Sequence, residues 1–350
     1  MNEALLRVLV ARMFHEVTSA QSALLVALGI RLGLYATLAT QPRTSAELSA
    51  ATGTDPRLLN EWLRHQAASG LVSRDRDRYF LGPEQAVVFG EGPVSMSSSF
   101  SMMAALASGL PALEQAFRRA PAAMPAQVDE SVDQASRRRS PEPLLALLPD
   151  RCRELLEQGA NVAELGSGAG DLLLHLAGRF PRSRFTGYEP DWRRYELSRH
   201  RIEAGVATGS MQVLNRSAAR LEGSFDLIIT IDSLHEMEEF EAVALAVAGA
   251  LSAGGAWIVV EPALDTSPAE AGQADVVERY LRSLSALYCR PAAPDSLGAA
   301  AAESAYEQLF LRAGLASRRL GRLGSTTAWE VRPSESTAGP WVERPDLGLH

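Results

Sequence analysis

Three glycines and two acidic residues stand at spacings that suit the binding of a nucleoside-like cofactor. Gly166, Gly168 and Gly170 follow an apolar run that contains Glu164, and a helical stretch comes directly after them. Glycines allow backbone conformations closed to other residues and leave no side chain to hold a ligand away. A second apolar run ends at Glu189, about 20 residues further on, where a carboxylate can accept both hydroxyls of a ribose. These residues predict a cofactor site at the first strand-to-helix turn.

The charge around this turn favours a cationic cofactor over a pyrophosphate. A GxGxxG dinucleotide loop would need a glycine where Asp171 stands. Phosphates prefer a helix start free of anions, and Glu164 with Asp171 makes this one negative. S-adenosylmethionine carries a ribose, an adenine, an ammonium and a sulfonium but no phosphate, so it is the predicted cofactor. A purely structural tight turn is the alternative interpretation.

A second group of polar residues follows the fourth apolar run, in ITIDSLHEMEEF. Asp232 and His235 come where that run ends, which predicts a position at the carboxyl edge of the sheet, beside the cofactor cleft. Asp232 is interpreted either as a contact to the cofactor ammonium or the acceptor, or as a helix cap. His235 is either a reactive side chain or an inert residue at a helix start.

The elements that would position these residues alternate along the second half of the chain. Short apolar runs and amphipathic helical stretches succeed one another after Asn161, which is typical of a parallel sheet covered on both faces. We therefore predict an α/β fold with a doubly wound, Rossmann-like, mostly parallel sheet. The stretch STTAWEVRP would add a final edge strand, plausibly antiparallel.

The N-terminal part of the chain has a different pattern. The stretches TSAELSAATG and DPRLLNEWLRHQAASG are each predicted to be a short capped helix, and LVSRDRDRYFLG is predicted to be a hairpin. Helices followed by a hairpin are typical of a winged helix. The basic residues of this region are offset by acidic ones, so a dimer-forming or architectural role is favoured over DNA binding.

These patterns divide the chain into four predicted segments. Residues 1–90 form a winged-helix dimerisation domain, 91–155 a helical connector and substrate-pocket segment, 156–333 the S-adenosylmethionine-binding domain, and 334–350 a loose tail. The Met-rich connector, broken at Pro111, is interpreted as core or as part of an acceptor pocket. The side chains predicted to form an apolar acceptor wall are Phe100, Met103, Tyr280 and Tyr288.

The composition excludes several other functions. The chain has 34 basic and 42 acidic residues and a net charge of -8, so no overall field attracts nucleic acid or an anionic membrane. All of the basic residues are arginine, which excludes a Schiff-base or P-loop lysine. Cys152 and Cys289 have no CxxC spacing, so no disulfide framework or metal site is predicted, and a cytoplasmic location is expected.

Two apolar stretches near the N-terminus are predicted to belong to a folded domain. MNEALLRVLVARMF has charges within its apolar run and is interpreted as an amphipathic helix rather than a signal peptide. SALLVALGIRLGLYATLA carries Arg31 near its centre and is predicted to be a buried helix pair at a subunit or domain contact, not a membrane span.

The motifs together resemble those of class I S-adenosylmethionine-dependent methyltransferases. VAELGSGAG is similar to their first motif, FTGYEP to the second-strand acid, and LSAGGAWIVVEP to the Gly-Gly turn before the fifth strand. With the winged helix, the chain resembles small-molecule O-methyltransferases of the plant caffeic-acid and bacterial natural-product types from about Leu24 to Arg332. The resemblance implies a homodimer formed through the N-terminal domain and a small, aromatic or polyketide-like acceptor.

The same resemblance implies roles for individual residues. An LHDW-type motif supplies a general-base histidine, which falls on His235, and an acid, which falls on Glu236; a glutamate that orients the histidine falls on Glu261. An imidazole suits removal of a hydroxyl proton during methyl transfer. The residues predicted to bind the cofactor are Glu164, Gly166, Ser167, Gly168, Gly170, Glu189, Pro190, Ser217 and Asp232.

Three positions depart from the family pattern and keep other functions open. Met237 replaces the motif's aromatic residue, Ser217 stands where an adenine-contacting acid is usual, and only Glu303 lies near the position of a second orienting glutamate. A carbon, an amine or a preionised phenol could accept the methyl without His235. The rivals are a DNA-binding regulator with a cofactor-sensing domain and a cofactor-binding enzyme that no longer transfers methyl.

Overall fold

The computed structural model describes residues 1–90, 94–118, 127–128, 130–131, 141–205, 210–265, 276–323 and 325–334. The chain forms two compact units: Met1–Gln115 with Met124–Ser140, called unit 1, and Ala116–Ala123 with Pro141–His350, called unit 2. The predicted tail, residues 334–350, lies almost wholly outside the described residues. The predicted division into four segments stays a prediction.

Unit 1 combines helices with a small sheet. Its helices are α1 (Glu3–Arg31), α2 (Leu34–Thr40), α3 (Ser45–Thr52), α4 (Pro56–Ala68), α5 (Pro83–Phe89), α6 (Ser97–Ser108) and α7 (Leu110–Phe117). Its strands are β1 (Arg43–Thr44), β2 (Ser73–Asp75) and β3 (Arg78–Phe80). They pair antiparallel in the order β1-β3-β2, so the predicted hairpin is present as β2 and β3.

The short helices of unit 1 begin at the residues that their caps indicate. The Thr44 hydroxyl accepts a hydrogen bond from the Glu47 backbone, and the Glu47 carboxylate accepts one from the Thr44 backbone, which forms a capping box. Asp55 caps α4, whose first residue is Pro56. Glu47 also pairs with Arg78 at 3.0 Å, so acidic residues do offset basic ones here.

No single helix within the described ranges is long and apolar enough to span a membrane. Helices α1 and α2 have the length and apolar content of a span only when they are taken together. The chain bends by 68° between them. The end of α1 and the whole of α2 contribute Val26, Leu34 and Leu38 to the core of unit 1. The predicted buried helix pair is therefore packed within its own unit.

Unit 2 contains a seven-stranded sheet in the order β6-β5-β4-β7-β8-β10-β9. Its strands are β4 (Asn161–Leu165), β5 (Arg184–Tyr188), β6 (Met211–Leu214), β7 (Phe225–Ile231), β8 (Leu251–Pro262), β9 (Leu315–Leu323) and β10 (Thr326–Pro333). The first five strands are parallel, and β10 runs antiparallel to β8. The chain moves outward from β4 to β6 and returns on the other side of β4 at β7, which creates a switch point where ligands bind in such folds.

Helices and apolar side chains cover both faces of this sheet. The helices of unit 2 are α8 (Glu142–Leu147), α9 (Asp150–Gln158), α10 (Asp171–Arg179), α11 (Trp192–Ala204), α12 (Phe240–Ala250), α13 (Val276–Leu284) and α14 (Glu303–Arg312). Helix α13 continues as a π-helical turn, Ser285–Cys289. One core cluster contains the fully buried Trp257 and Trp329, and a second contains Leu227 and Ile258. The predicted α/β class is confirmed.

The edge of the sheet holds one strand that the sequence analysis does not predict. STTAWEVRP does form an antiparallel strand, β10, but β9 pairs with its outer side and takes the edge position. Three arginines interrupt the apolar pattern of β9, which hides it as a strand. All three pair with buried acids from other elements: Arg318 with Glu330 at 2.8 Å, and Arg319 and Arg322 with Glu303 at 3.7 and 3.4 Å.

Candidate functional site

The turn between β4 and α10 requires its three glycines. Gly166, Gly168 and Gly170 have φ values of 72°, 53° and 77°, in the left-handed region that side chains disfavour. The backbone N–H groups of Gly166 and Ser167 both donate to the Tyr188 carbonyl, at 2.9 and 3.2 Å, which ties the turn to the end of β5. The turn is therefore held in one shape at the carboxyl edge of the sheet.

Gly166 also brings the two predicted groups of residues together. A Cβ at this position would lie 2.6 Å from the Cβ of Ser233, which follows β7. The Ser233 hydroxyl in turn donates to the Leu165 carbonyl at 3.0 Å. The glycine turn and the segment that contains His235 are thus in direct contact, on the two sides of the switch point.

Glu189 is a buried carboxylate bound to the glycine turn. Its Oε2 accepts from the Gly168 N–H at 2.8 Å, and its Oε1 accepts from the Asp191 N–H at 2.8 Å. Burial raises the pKa of Glu189, although the backbone hydrogen bonds and the charge of Arg194 oppose the rise. The carboxylate therefore lies beside Gly168 at the end of β5, as the sequence predicts.

Glu164 is buried in β4 with an unsatisfied oxygen. Burial raises the pKa of Glu164 well above its ordinary value, and the charges of Asp171 and Glu189 raise it further, against a hydrogen bond from the Leu173 backbone. Its Oε2 is buried and has no hydrogen-bond partner among the described residues. Such an atom costs free energy until a donor reaches it. A ligand with N–H donors and a positive charge would donate to this oxygen and offset the buried negative charge.

The predicted negative charge at the helix start needs one correction. Asp171 forms an ion pair with Arg201 of α11, with 2.7 Å between Oδ1 and the guanidinium, and the same guanidinium donates to the Ala169 carbonyl at 2.8 Å. Arg201 therefore offsets the Asp171 charge, and the anionic character of the turn rests mainly on Glu164 and Glu189. The sequence gives no signal for Arg201, because it lies on the next helix.

We predict that Gly168→Ala weakens cofactor binding without unfolding the chain. No described heavy atom lies within 4 Å of a Cβ built there, so the methyl group would enter open space in front of the turn. A non-glycine residue in the left-handed region costs roughly 1–2 kcal/mol. Calorimetry should show S-adenosylmethionine affinity lower by at least about tenfold, equal to about 1.4 kcal/mol.

Gly178→Ala is the matched control for that substitution. Gly178 lies in α10, also has open space around its Cβ, and has an ordinary helical backbone. Alanine should stabilise the helix by about 0.5–1 kcal/mol and leave cofactor affinity unchanged. Equal affinities for the Gly168→Ala and wild-type chains would show that the cofactor does not contact this turn.

Glu261 organises the segment that contains His235. It is the last residue but one of β8, is fully buried, and accepts backbone hydrogen bonds from Ser233 and Leu234 at 2.9 Å and from His235 at 3.3 Å. Its Oε2 also lies 2.7 Å from Nδ1 of the His235 ring. One carboxylate therefore fixes both the backbone that carries His235 and the orientation of the ring.

Two further polar side chains contact the ring of His235. Nε2 lies 3.5 Å from Oε1 of Glu236, and the ring also forms a side-chain hydrogen bond with Cys289. Burial lowers the pKa of His235, but the hydrogen bonds with Cys289, Glu236 and Glu261 outweigh it, so the pKa lies well above its ordinary value. These contacts stabilise the imidazolium that forms when a base accepts a proton. The sequence gives no signal for Cys289, which comes from the π-helical turn.

Four other predicted cofactor residues lie around the same edge. Ser167 is buried in the turn, and Pro190 follows Glu189. The Ser217 hydroxyl donates to Glu239 at 2.8 Å, so this predicted adenine contact has a protein partner. Asp232 adopts a left-handed backbone with φ of 50°, which costs energy in a non-glycine residue and recurs at functional sites.

The predicted acceptor wall is divided between the two units. Phe100 is half-buried against the unit 1 core, with its ring 6.5 Å from that of Phe89, and Met103 is exposed. Tyr280 is exposed on α13, and Tyr288 is buried in the π-helical turn of unit 2. Neither unit by itself gathers the four side chains, so the wall stays a prediction.

The sheet order, the glycine turn and the buried acids define a cofactor-binding fold of the methyltransferase type. Residues 163–257 match the family model described as a methyltransferase domain. Residues 20–90 match the model described as an Rv2258c-like winged HTH domain. No sequence among the curated proteins matches this chain.

Solved structures share this fold over nearly their whole length. Mitomycin 7-O-methyltransferase MmcR is 17% identical with a TM-score of 0.68, and the match covers 95% of this chain and 100% of that one. An O-methyltransferase family protein from Burkholderia thailandensis is 17% identical with a TM-score of 0.69, covering 96% and 99%. NcsB1, an O-methyltransferase from neocarzinostatin biosynthesis, is 18% identical with a TM-score of 0.64, covering 90% and 96%.

Residues 20–90 are therefore similar to a winged-helix domain and residues 163–257 to a methyltransferase domain. These matches confirm the resemblance drawn from the sequence motifs, and the match of residues 163–257 supports an enzyme of the methyltransferase class.

Proposed function

We propose that this protein transfers the methyl group of S-adenosylmethionine to a hydroxyl of a small aromatic or polyketide-like metabolite, with His235 as general base. The observation that carries the proposal is the contact between two buried groups at one sheet edge. The glycine turn with Glu164 and Glu189 lies on one side, and the Glu261–His235 pair lies on the other. Cofactor binding and proton removal are the two tasks that this transfer requires.

The cofactor would be held by the turn and its carboxylates. Glu189 offers two acceptor oxygens to the ribose hydroxyls, and the unsatisfied Oε2 of Glu164 offers one to the ammonium. Both carboxylates are buried, so a cationic ligand relieves the cost of their charges. S-adenosylmethionine supplies an electrophilic methyl group when it is bound. Solved NcsB1 in complex with S-adenosylmethionine supports this choice of cofactor.

His235 would take the proton of the acceptor. With Nδ1 on Glu261, Nε2 is the nitrogen that can receive a proton; because the pKa of His235 is raised, only rings that have already lost the Nε2 proton can act as the base. The acceptor oxygen bonds to the methyl carbon as its proton passes to Nε2, and the electron pair of the broken carbon–sulfur bond stays on sulfur. In this mechanism the acceptor hydroxyl takes the place that Glu236 now holds against Nε2.

A methyl-transfer assay tests the proposal. The purified chain is incubated with S-adenosylmethionine labelled in the methyl group and with a panel of phenols and naphthols, since NcsB1 is in complex with 2-hydroxy-5-methyl naphthoic acid. We expect label in an ether oxygen of at least one acceptor, located by mass spectrometry and NMR. Label on carbon or nitrogen would reject a hydroxyl acceptor. Cofactor-dependent decarboxylation or hydroxylation without labelled product would reject methyl transfer.

We also propose a homodimer formed through α1. Its first half is exposed, and Leu6, Val10, Phe14 and Val17 recur at the spacing of one helix face. Contiguous exposed apolar side chains of this kind mark interaction surfaces. A second copy of the chain is the occupant we propose, because the resemblance to small-molecule O-methyltransferases implies a homodimer formed through the N-terminal domain.

Phe14→Asp is expected to break this dimer. Phe14 is 72% exposed within the chain, and interface hot spots lose about 2 kcal/mol or more on substitution, which corresponds to roughly a thirtyfold weaker dimer. Analytical ultracentrifugation measures the dissociation constant. Leu311→Asp is the control, because Leu311 on α14 is 71% exposed but lies in unit 2. A monomeric wild-type chain, or equal constants for both variants, would contradict the proposal.

A further inference from the structure

Three side chains with metal-binding atoms converge at the edge of the sheet beside β8. His235 and Glu236 follow β7, and Cys289 ends the π-helical turn. One nitrogen of the histidine, one carboxylate oxygen and the thiol sulfur all lie within 4.8 Å of one another. In tetrahedral zinc sites the bond lengths of about 2.0–2.3 Å place such atoms roughly 3.3–3.7 Å apart. Side-chain movements of about an ångström would therefore bring them to one ion.

The surroundings of His235 match those of a histidine that binds a metal. Such histidines almost always donate their other ring nitrogen to a carboxylate or carbonyl, which fixes the ring and raises its basicity. Glu261 is in that position, 2.7 Å from Nδ1. Nε2 is then the coordinating atom, and it already faces Glu236 at 3.5 Å. Both the ligand atoms and the supporting carboxylate are present in one buried cluster.

We propose that His235, Glu236 and Cys289 form a binding site for a thiophilic divalent cation of the zinc class. A thiolate, an imidazole and a carboxylate are the donors that Zn²⁺ takes, whereas Mg²⁺ and Ca²⁺ require oxygen donors. Glu236 is the half-buried member of the three, so it gives the cation a way in from solvent, and His235 and Cys289 are buried behind it. Three protein ligands leave a fourth position for water.

Metal binding here goes beyond the proposed function and does not depend on it. Its consequence for methyl transfer does depend on it, because an ion on Nε2 removes the lone pair that the base uses. Zinc is therefore expected to inhibit transfer and a chelator to restore it. If His235 is not a base, the metal site can still be tested by direct binding.

The test uses the untagged full chain, stripped of metal, and Co²⁺ as a spectroscopic probe. One equivalent of Co²⁺ should produce a sulfur-to-cobalt charge-transfer band, and zinc should displace it. Cys289→Ser should abolish the band and lower zinc affinity at least about tenfold. Cys152→Ser is the matched control, because Cys152 is the other buried cysteine and lies in α9; it should keep the band.

Three results would overturn the site. A band of equal strength in the Cys289→Ser chain, or no band in the wild-type chain, would exclude Cys289 as a ligand. X-ray absorption of the zinc-loaded wild-type chain covers the case in which Cys289→Ser does not fold. We expect one sulfur and at least one imidazole in the first coordination shell, and a shell without sulfur would reject the proposal.

Discussion

Replacing His235 with alanine is expected to lower the turnover number of methyl transfer by at least about a hundredfold, while the affinity for S-adenosylmethionine stays unchanged. A positioned general base typically contributes about 10² to 10⁴-fold. The cofactor contacts proposed for Glu164 and Glu189 lie on the other side of the switch point. The substitution should therefore lower turnover without changing cofactor affinity. Single-turnover kinetics measures the first quantity and calorimetry the second.

His200→Ala is the control for this experiment. His200 lies on α11 with its side chain mostly exposed, so its loss should change neither the turnover number of methyl transfer nor the affinity for the cofactor. Both variants are assayed with a chelator present, so that metal binding does not alter the comparison. Turnover of the His235→Ala chain within a few-fold of wild type would show that His235 has a structural role and that the acceptor loses its proton elsewhere.

The parts of the fold that the sequence predicts are those governed by local pattern. The runs at Asn161–Leu165 and Phe225–Ile231 are mostly apolar because their strands are buried on both faces. The turn glycines are visible because no other residue adopts their backbone at no cost. Capping residues such as Thr44 and Asp55 mark helix starts in the same local way.

The parts that the sequence does not predict depend on contacts between distant segments. The ion pair of Asp171 with Arg201 changes the charge of the cofactor turn, yet nothing in the spacing of these two residues indicates it. Strand β9 is hidden for the same reason, because its arginines look incompatible with a sheet until their acidic partners are known. Cys289 reaches His235 only through the path of α13 and its π-helical turn.

Glu303 lies near the sequence position of the second orienting glutamate, but its side chain contacts other residues. The sequence offers it as the nearest match to a second glutamate for the histidine. In the structure it accepts a hydrogen bond from Thr327 at 2.7 Å and pairs with Arg322, at the start of α14. The orientation of His235 therefore rests on Glu261, with Glu236 at the other nitrogen and Cys289 hydrogen-bonded to the ring.

Because Glu261 holds both the backbone and the ring of His235, we expect its loss to lower the free energy of unfolding strongly. Glu261→Ala leaves the Ser233, Leu234 and His235 backbone N–H groups and Nδ1 of His235 without their acceptor, most of them buried. Breaking a buried charged pair by removing one partner costs about 3–5 kcal/mol. The free energy of unfolding, measured by urea denaturation, should fall by that amount, and methyl transfer should be lost as well.

Glu241→Ala is the matched control, because it also removes a glutamate from an ion pair. Glu241 pairs with Arg312 at 3.2 Å, but both side chains are more than half exposed. Exposed pairs contribute little to stability because water solvates the charges and salt screens them. The unfolding curve of this variant should overlay that of the wild-type chain. A Glu261→Ala chain as stable as the control would mean that water replaces the carboxylate, and the rigid support inferred for His235 would then be wrong.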